Sequence, residues 1–292
     1  MDRRRKQTID HYYERNTHRF LRFAARGSSS TIHRAIWAPG ISKRLDAVHY
    51  VHTLILQHAP VERQRPVSWD LGCGVGASIA YLAQHRPGCY RGVTISRTQK
   101  GIAERFLSRS LPGKMSNWGL LHADFCAAST FETLLAQSPD KPSLVYMIEA
   151  FGHANDPQTL IRRIADCLLP GGHLVICDDI IAREEYRRNP EAQAFAAGWR
   201  IETLWTVEEI SACSAAHGLA LIRNLDLSPW VELNRPRDRV IRGLVSVMDR
   251  SGLLRRPFAA SPFWGNLRGG DALQRALTIG TVRYRFLVYR KR

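Results

Sequence analysis

The 292-residue chain has no pair of cysteines at C-x-x-C spacing. Its six cysteines, Cys73, Cys89, Cys126, Cys167, Cys177 and Cys213, stand apart and mostly within apolar stretches. Such spacing excludes a zinc ribbon and argues for reduced core thiols instead of a disulfide framework. His49 and His52 are three apart, yet no second ligand pair follows at metal spacing, so no resident metal is expected. No apolar run reaches the roughly 18–20 residues that cross a bilayer. The opening Met1-Asp2-Arg3-Arg4-Arg5-Lys6 leads into charged and aromatic residues, unlike a signal peptide. The expectation is a cytoplasmic chain without a transmembrane segment. Internal repeats and low-complexity tracts are lacking as well.

Acid is scarce at the two ends. Residues 1–44 carry a net charge of +8 and residues 223–292 one of +10, whereas 45–222 carry −2, within a total of +16. Nucleic acid, an anionic membrane face and a phosphorylated substrate all respond to the same Coulomb attraction, so charge alone does not choose among them.

Between Val67 and Ala182 short β-rich runs alternate with helical stretches, the pattern of a parallel sheet wound on both faces. Strands are predicted at Val67 to Asp70, Tyr90 to Thr94, Gly119 to His122, Ser143 to Met147 and His173 to Cys177, with two late ones at Ala220 to Leu225 and Val282 to Val288. Helices are predicted at Ser78 to Gln84, Thr98 to Ser108 and Pro157 to Leu168. The first 60 residues read as helical with a break at Gly27-Ser28-Ser29-Ser30, and 226–280 as Arg-rich and irregular.

Asp70-Leu71-Gly72-Cys73-Gly74-Val75-Gly76 follows the first strand and opens a helix. Its glycines permit a tight turn and close approach of backbone to ligand, and Asp70 is placed to meet an amino or ammonium group. A nicotinamide fingerprint would read G-x-G-x-x-G with an acid ending the second strand. Here the spacing is G-x-G-x-G, and the second strand runs into Val93-Thr94-Ile95-Ser96 without an acid.

This segment resembles the first motif of class I S-adenosylmethionine-dependent methyltransferases. Gly92-Val93-Thr94-Ile95-Ser96-Arg97-Thr98-Gln99 resembles the G-[VIL]-T-[IL]-S-x-x-Q segment of tocopherol and cyclopropane-fatty-acid type enzymes, and Leu169-Pro170-Gly171-Gly172-His173-Leu174 the turn before their fifth strand. The resemblance implies a doubly wound α/β fold with a seven-stranded, Rossmann-like methyltransferase sheet. It implies S-adenosylmethionine held by Asp70, Gly72, Cys73, Gly74 and Gly76, with Thr94, Ser96 and Gln99 at the ribose and Asp124 and Phe125 flanking the adenine. Asp124 equally suits a helix or turn cap. The implied organisation is a helical lid over 1–60, a cofactor-binding core over 61–225, a cap insertion over 226–280 and a last strand over 281–292.

Methyl transfer from a sulfonium is an in-line displacement, so alignment of donor and acceptor is the main task. Tyr146 to Asp156 lies after the fourth strand, at the carboxyl edge where ligands bind in this architecture. The segment resembles the I-E-A-x-x-H-A stretch of sterol C-methyltransferases and, less closely, the Glu-containing stretch of tocopherol and prenyl-diphosphate C-methyltransferases. By that resemblance Glu149 faces the reacting centre beside the cofactor, and His153 orients it or completes the polar wall. The plain alternative makes Glu149 a helix cap and His153 a satisfied turn histidine.

Tyr12 and Tyr13, followed by Phe20, Phe23 and Trp37, resemble the aromatic lid of these families, although an amphipathic packing helix would carry the same residues. Arg15, Arg19, Arg22 and Arg26 would line one helical face, either solvated or clamping a diphosphate. The expected reaction is C-methylation of an alkene in an isoprenoid of secondary metabolism, a hydrophobic small molecule with an acidic head group, with Mg2+ needed if that group is a diphosphate. O- or N-methylation of a natural product is the alternative. A nucleic-acid methyltransferase comes third: the charge permits it, but the chain has no Asn/Asp-Pro-Pro-Tyr/Phe type motif and no recognisable nucleic-acid module. A homo-oligomer is left open.

Overall fold

In the computed structural model the alternating strands and helices form one seven-stranded sheet covered on both faces. The structure describes residues 33–61, 63–111, 113, 117–250 and 262–292. β1 (Val67–Leu71), β2 (Cys89–Thr94), β3 (Asn117–His122), β4 (Leu144–Ile148) and β5 (His173–Ile181) run parallel. β6 (Leu219–Asp226) is followed in the chain by β7 (Val282–Lys291), which lies antiparallel between β5 and β6 and gives the order β3-β2-β1-β4-β5-β7-β6. The strand order reverses between β1 and β4, which opens a crevice at their carboxyl ends.

Side chains alternate along each strand, so a sheet covered twice must be apolar on both sides. Tyr146, Ile148, Val175, Cys177, Tyr284 and Phe286 enter one core, together with residues of α1 (Arg44–His58), α2 (Ala77–His85), α3 (Arg97–Ser110), α6 (Pro190–Trp199) and α9 (Pro262–Ile279). Val145, Met147, Leu174, Ile176, Leu287 and Tyr289 enter the other, with α4 (Ala128–Gln137), α5 (Pro157–Cys167) and α7 (Val207–Ala216). Asp156 caps α5 through the Thr159 N–H at 3.0 Å, and Thr206 and Glu209 form a reciprocal cap on α7. Each such cap contributes about 1 kcal/mol.

Two sequence expectations are corrected. Residues 33–43, read as helical, are not: Ile36 bridges Val231, and the Trp37 N–H donates to the Trp230 carbonyl at 2.8 Å. The stretch 226–280, read as irregular from its arginines, contains α8 (Pro236–Arg250) and α9. Several of its described arginines are engaged in ion pairs that composition does not reveal. Arg235 pairs with Asp238 at 2.8 Å within the first turn of α8, Arg242 with Asp271 on α9 at 3.2 Å, and Arg275 on α9 with Glu191 on α6 at 2.8 Å.

α6 and α9 meet backbone to backbone. A Cβ placed on Gly198 would lie 2.5 Å from the Gly265 carbonyl oxygen and 2.5 Å from the Gly269 Cα. Gly198→Ala should therefore wedge the pair apart at a cost of about 2–3 kcal/mol, lowering Tm by roughly 5–10 °C in a thermal melt. Gly243→Ala, in α8 where nothing lies within 4 Å of the added methyl, should leave Tm unchanged or slightly raised.

Candidate active site

Asp70 lies in β1 between Gly92 of β2 and Tyr146 of β4, 2% exposed. Its Oδ2 and the Tyr146 hydroxyl face each other without closing a full hydrogen bond, and neither atom has any other partner. Burial pushes this carboxyl up to about 8, against the phenol, which draws it down. A buried carboxylate oxygen left short of a full hydrogen bond is costly, and an incoming ammonium group removes the cost.

The turn after β1 can be built only from glycine. Gly72, Gly74 and Gly76 adopt φ of 95°, 52° and 81°, and a Cβ on Gly72 would fall 2.5 Å from the Cβ of Ala150. The N–H groups of Gly72 and Cys73 both donate to the Val93 carbonyl at 2.9 Å, fastening the loop to β2. The Cys73 side chain is buried. This cradle and its buried carboxylate fit the methionine end of S-adenosylmethionine.

Thr94, Ser96 and Gln99, also buried, bind one another. The Thr94 hydroxyl donates to Gln99 Oε1 at 2.8 Å, and Ser96 Oγ accepts the Gln99 N–H at 3.2 Å, capping α3. These contacts shape the turn after β2. Asp124 Oδ1 accepts the Cys126 N–H at 2.8 Å, the turn-capping geometry, and the Phe125 ring lies 4.0 Å from the Cβ position of Gly72. Phe125 therefore flanks the glycine loop from the β3 side.

Glu149 directly follows β4 with φ of 52°, a left-handed conformation that a non-glycine residue holds only when its surroundings enforce it. Its N–H donates to the Cys177 carbonyl at 2.8 Å. Oε1 accepts from the Tyr284 hydroxyl at 3.0 Å and from the Arg34 N–H at 3.3 Å, and the Arg34 Nε lies 3.7 Å away. The Arg34 guanidinium binds Asp179 through both of its terminal nitrogens and stacks 4.7 Å above the Tyr284 ring. Asp178, next to this pair, accepts the Gly152 N–H at 3.1 Å and is pushed up to about 7 by burial and the Asp179 charge. Burial raises Asp179 as well, against the pull of Arg34.

The structure thus gathers Glu149 with Arg34, Asp178, Asp179 and Tyr284. His153, in a short 3-10 turn, is tied by Nδ1 to the Arg200 carbonyl at 3.3 Å, and burial lowers its pKa. Trp37 packs with Ala35, Ala47 and Val48 at the foot of α1. Tyr12, Tyr13, Arg19, Arg22 and Arg26 lie outside the described residues. Sequence reasoning missed Arg34, Asp178, Asp179 and Tyr284. The available signal was the adjacent acid pair interrupting the otherwise apolar run of β5.

Crevice, glycine turn and buried carboxylate lie together at the carboxyl edge of the sheet. Residues 43–224 match a family model described as a methyltransferase domain, and the chain belongs to that family. The chain is 34% identical over 109 residues to the O-methyltransferase cnsE of Penicillium expansum, covering 37% of this chain and 36% of that protein. It is 31% identical over 113 residues to the methyltransferase GfsG of Streptomyces halstedii, covering 38% and 37%. The chain thus spans little more than a third of these relatives' length. The geranyl diphosphate C-methyltransferase of Streptomyces coelicolor A3(2) superposes with a TM-score of 0.67 at 14% identity over 98% of this chain and 97% of that one. The [4+2]-cyclase SpnF gives 0.68 at 17% over 98% and 96%. At these identities the likeness is one of fold.

An ammonium group is bound by the ionised form of Asp70, so a carboxyl raised to about 8 must first lose its proton. Affinity for S-adenosylhomocysteine, measured by calorimetry, should fall about tenfold for each pH unit below that value and level off above it. Asp70→Asn should bind more weakly and without that slope.

Proposed function

We propose that the chain methylates an alkene carbon of a hydrophobic isoprenoid carrying an acidic head group, with Glu149 steadying the developing cation and taking up its proton. One observation carries this reading. Glu149 and Asp179 face the single guanidinium of Arg34, leaving one net negative charge before Asp178 is counted, beside the Tyr284 ring. An alkene becomes positive only as the methyl group arrives, so a fixed negative wall favours the transition state over the ground state.

S-adenosylmethionine supplies the methyl group. The residues that would hold it are Asp70 and the Gly72 to Gly76 turn at the methionine end, with Phe125 beside them and Asp124, Thr94, Ser96 and Gln99 towards the nucleoside. Tyr284 and the Arg34 backbone aim the Glu149 carboxylate. The division into lid (1–60), core (61–225), cap insertion (226–280) and last strand (281–292) belongs to this proposal, as do acceptor roles for Tyr12, Tyr13, Arg19, Arg22 and Arg26. Among the described residues no three His, Cys, Asp or Glu side chains gather at metal spacing, and no residue is assigned to Mg2+.

A second reading, O-methylation, is favoured by the O-methyltransferase name of one relative and by His33. Burial lowers the pKa of this imidazole near Glu149, which favours the neutral form that can accept a proton. Methyl-labelled cofactor with a panel of prenyl diphosphates, sterols, phenols and amines separates the two, because label only in hydroxyl acceptors selects the second. Glu149→Gln should lower kcat by about 10²–10⁴-fold while S-adenosylhomocysteine affinity changes little. An amide variant that turns over normally reduces Glu149 to a structural cap.

A further inference from the structure

Every methylation of an O–H, N–H or C–H acceptor by a sulfonium liberates one proton. The methyl carbon forms its new bond as the sulfur takes back the electron pair of the old one, and the acceptor's proton must then leave. A site closed against water needs a route for that proton.

Beside the reacting edge, four side chains form a continuous polar thread through an otherwise apolar layer. His33 Nε2 lies 2.9 Å from Ser78 Oγ, and Ser78 Oγ lies 2.9 Å from His52 Nε2. His52 Nδ1 is 3.1 Å from His49 Nδ1. Ser78 and His52 are fully buried between α1 and α2, whereas His49 is half-exposed on α1 and stacks on Tyr81 at 4.4 Å. At the inner end, His33 directly precedes Arg34, whose N–H donates to Glu149, and the Glu149 charge acts on the His33 ring.

We propose that His33, Ser78, His52 and His49 form a proton-exit chain leading from the Glu149 end of the site to the surface. The proposal rests on the reading that Glu149 first takes the proton. A neutral imidazole donates at one nitrogen and accepts at the other, and a hydroxyl does both, so one consistent set of hydrogen bonds spans the thread. His33 Nε2–H donates to Ser78, the Ser78 hydroxyl donates to His52 Nε2, and His52 Nδ1–H donates to His49 Nδ1. When His33 Nδ1 receives the proton, each link passes its own hydrogen outward, and His49 Nε2 releases one to water. Charge and atoms balance, and the thread is left with its polarity reversed until the hydroxyl and rings reorient.

The groups facing His52 are His33, His49, His85 and the Tyr81 ring, with Asp46 near His49 and Glu149 near His33. Burial and the neighbouring imidazoles hold His52 well below the usual imidazole range, so it stays neutral and can both give and accept. A merely structural role, satisfying two buried histidines with one serine, would need no particular direction along the thread.

The test uses the full chain and two variants. In 15N-histidine-labelled protein at pH 7, His52 should be the neutral Nδ1–H tautomer and His33 the Nε2–H tautomer. A cationic or Nε2–H His52 overturns the chain. His49→Gln, at the half-exposed end of the thread, and Ser78→Ala should each lower kcat about tenfold or more on the acceptor found with the labelled panel, with S-adenosylhomocysteine affinity kept. For His49→Gln the loss should be restored as imidazole buffer is raised, with a larger solvent deuterium effect at low buffer. Wild-type kcat and no buffer dependence in both variants, or a loss in His49→Gln that buffer does not restore, overturns the proposal. Failure of the Glu149 reading is distinct: Glu149→Gln then turns over normally whatever the His49 and Ser78 variants do.

Discussion

The closest approach in the molecule that matters for function is between two loops, not two side chains of opposite charge. Gly72 after β1 and Ala150 after β4 meet so tightly that no other residue fits at position 72. That contact ties the glycine turn after β1 to the segment after β4, where Glu149 directly precedes Ala150. Holding two reactants in line is the larger share of catalysis in such a displacement, and a backbone contact at a strand switch point holds it without flexible parts.

The charges are arranged around that fixed geometry. Removing a guanidinium and a carboxylate from water costs several kcal/mol each, and the attraction between them returns this only when the geometry is good. Arg34 meets the condition with both ends of its fork on Asp179 and its plane over Tyr284. The pair spans 145 residues of sequence and fastens the segment before α1 to the end of β5. It also leaves the Glu149 carboxylate with a backbone N–H and a phenol as its donors.

What was legible in the sequence was local. Runs of strand-forming residues, the glycine turn and the Pro170-Gly171-Gly172 stop each declare themselves within a few residues, and all seven strands fell where alternation and turn signals put them. The partners of Glu149 were not legible, because Arg34 and Tyr284 come from 115 and 135 residues away and nothing near them in the chain marks the meeting. The same holds for the histidine thread: the spacing of His49 and His52 gives no sign of it, and only α2 brings Ser78 between His52 and His33. In 226–280 the arginines masked two helices, since charge composition says nothing of the acids on neighbouring elements that neutralise them.

The place of β7 has a bearing on how the molecule is made. The last of the seven strands in chain order sits between β5 and β6 and supplies Tyr284 to the site. While a ribosome adds α8 and α9, β5 and β6 each wait with an open edge, the condition under which strands pair with the wrong neighbour. Until residues 282–291 are added, the chain therefore lacks both the strand that joins β5 to β6 and the Tyr284 hydroxyl that meets Glu149. The time taken to make α8 and α9 sets how long those edges stay open, even though neither helix takes part in the sheet.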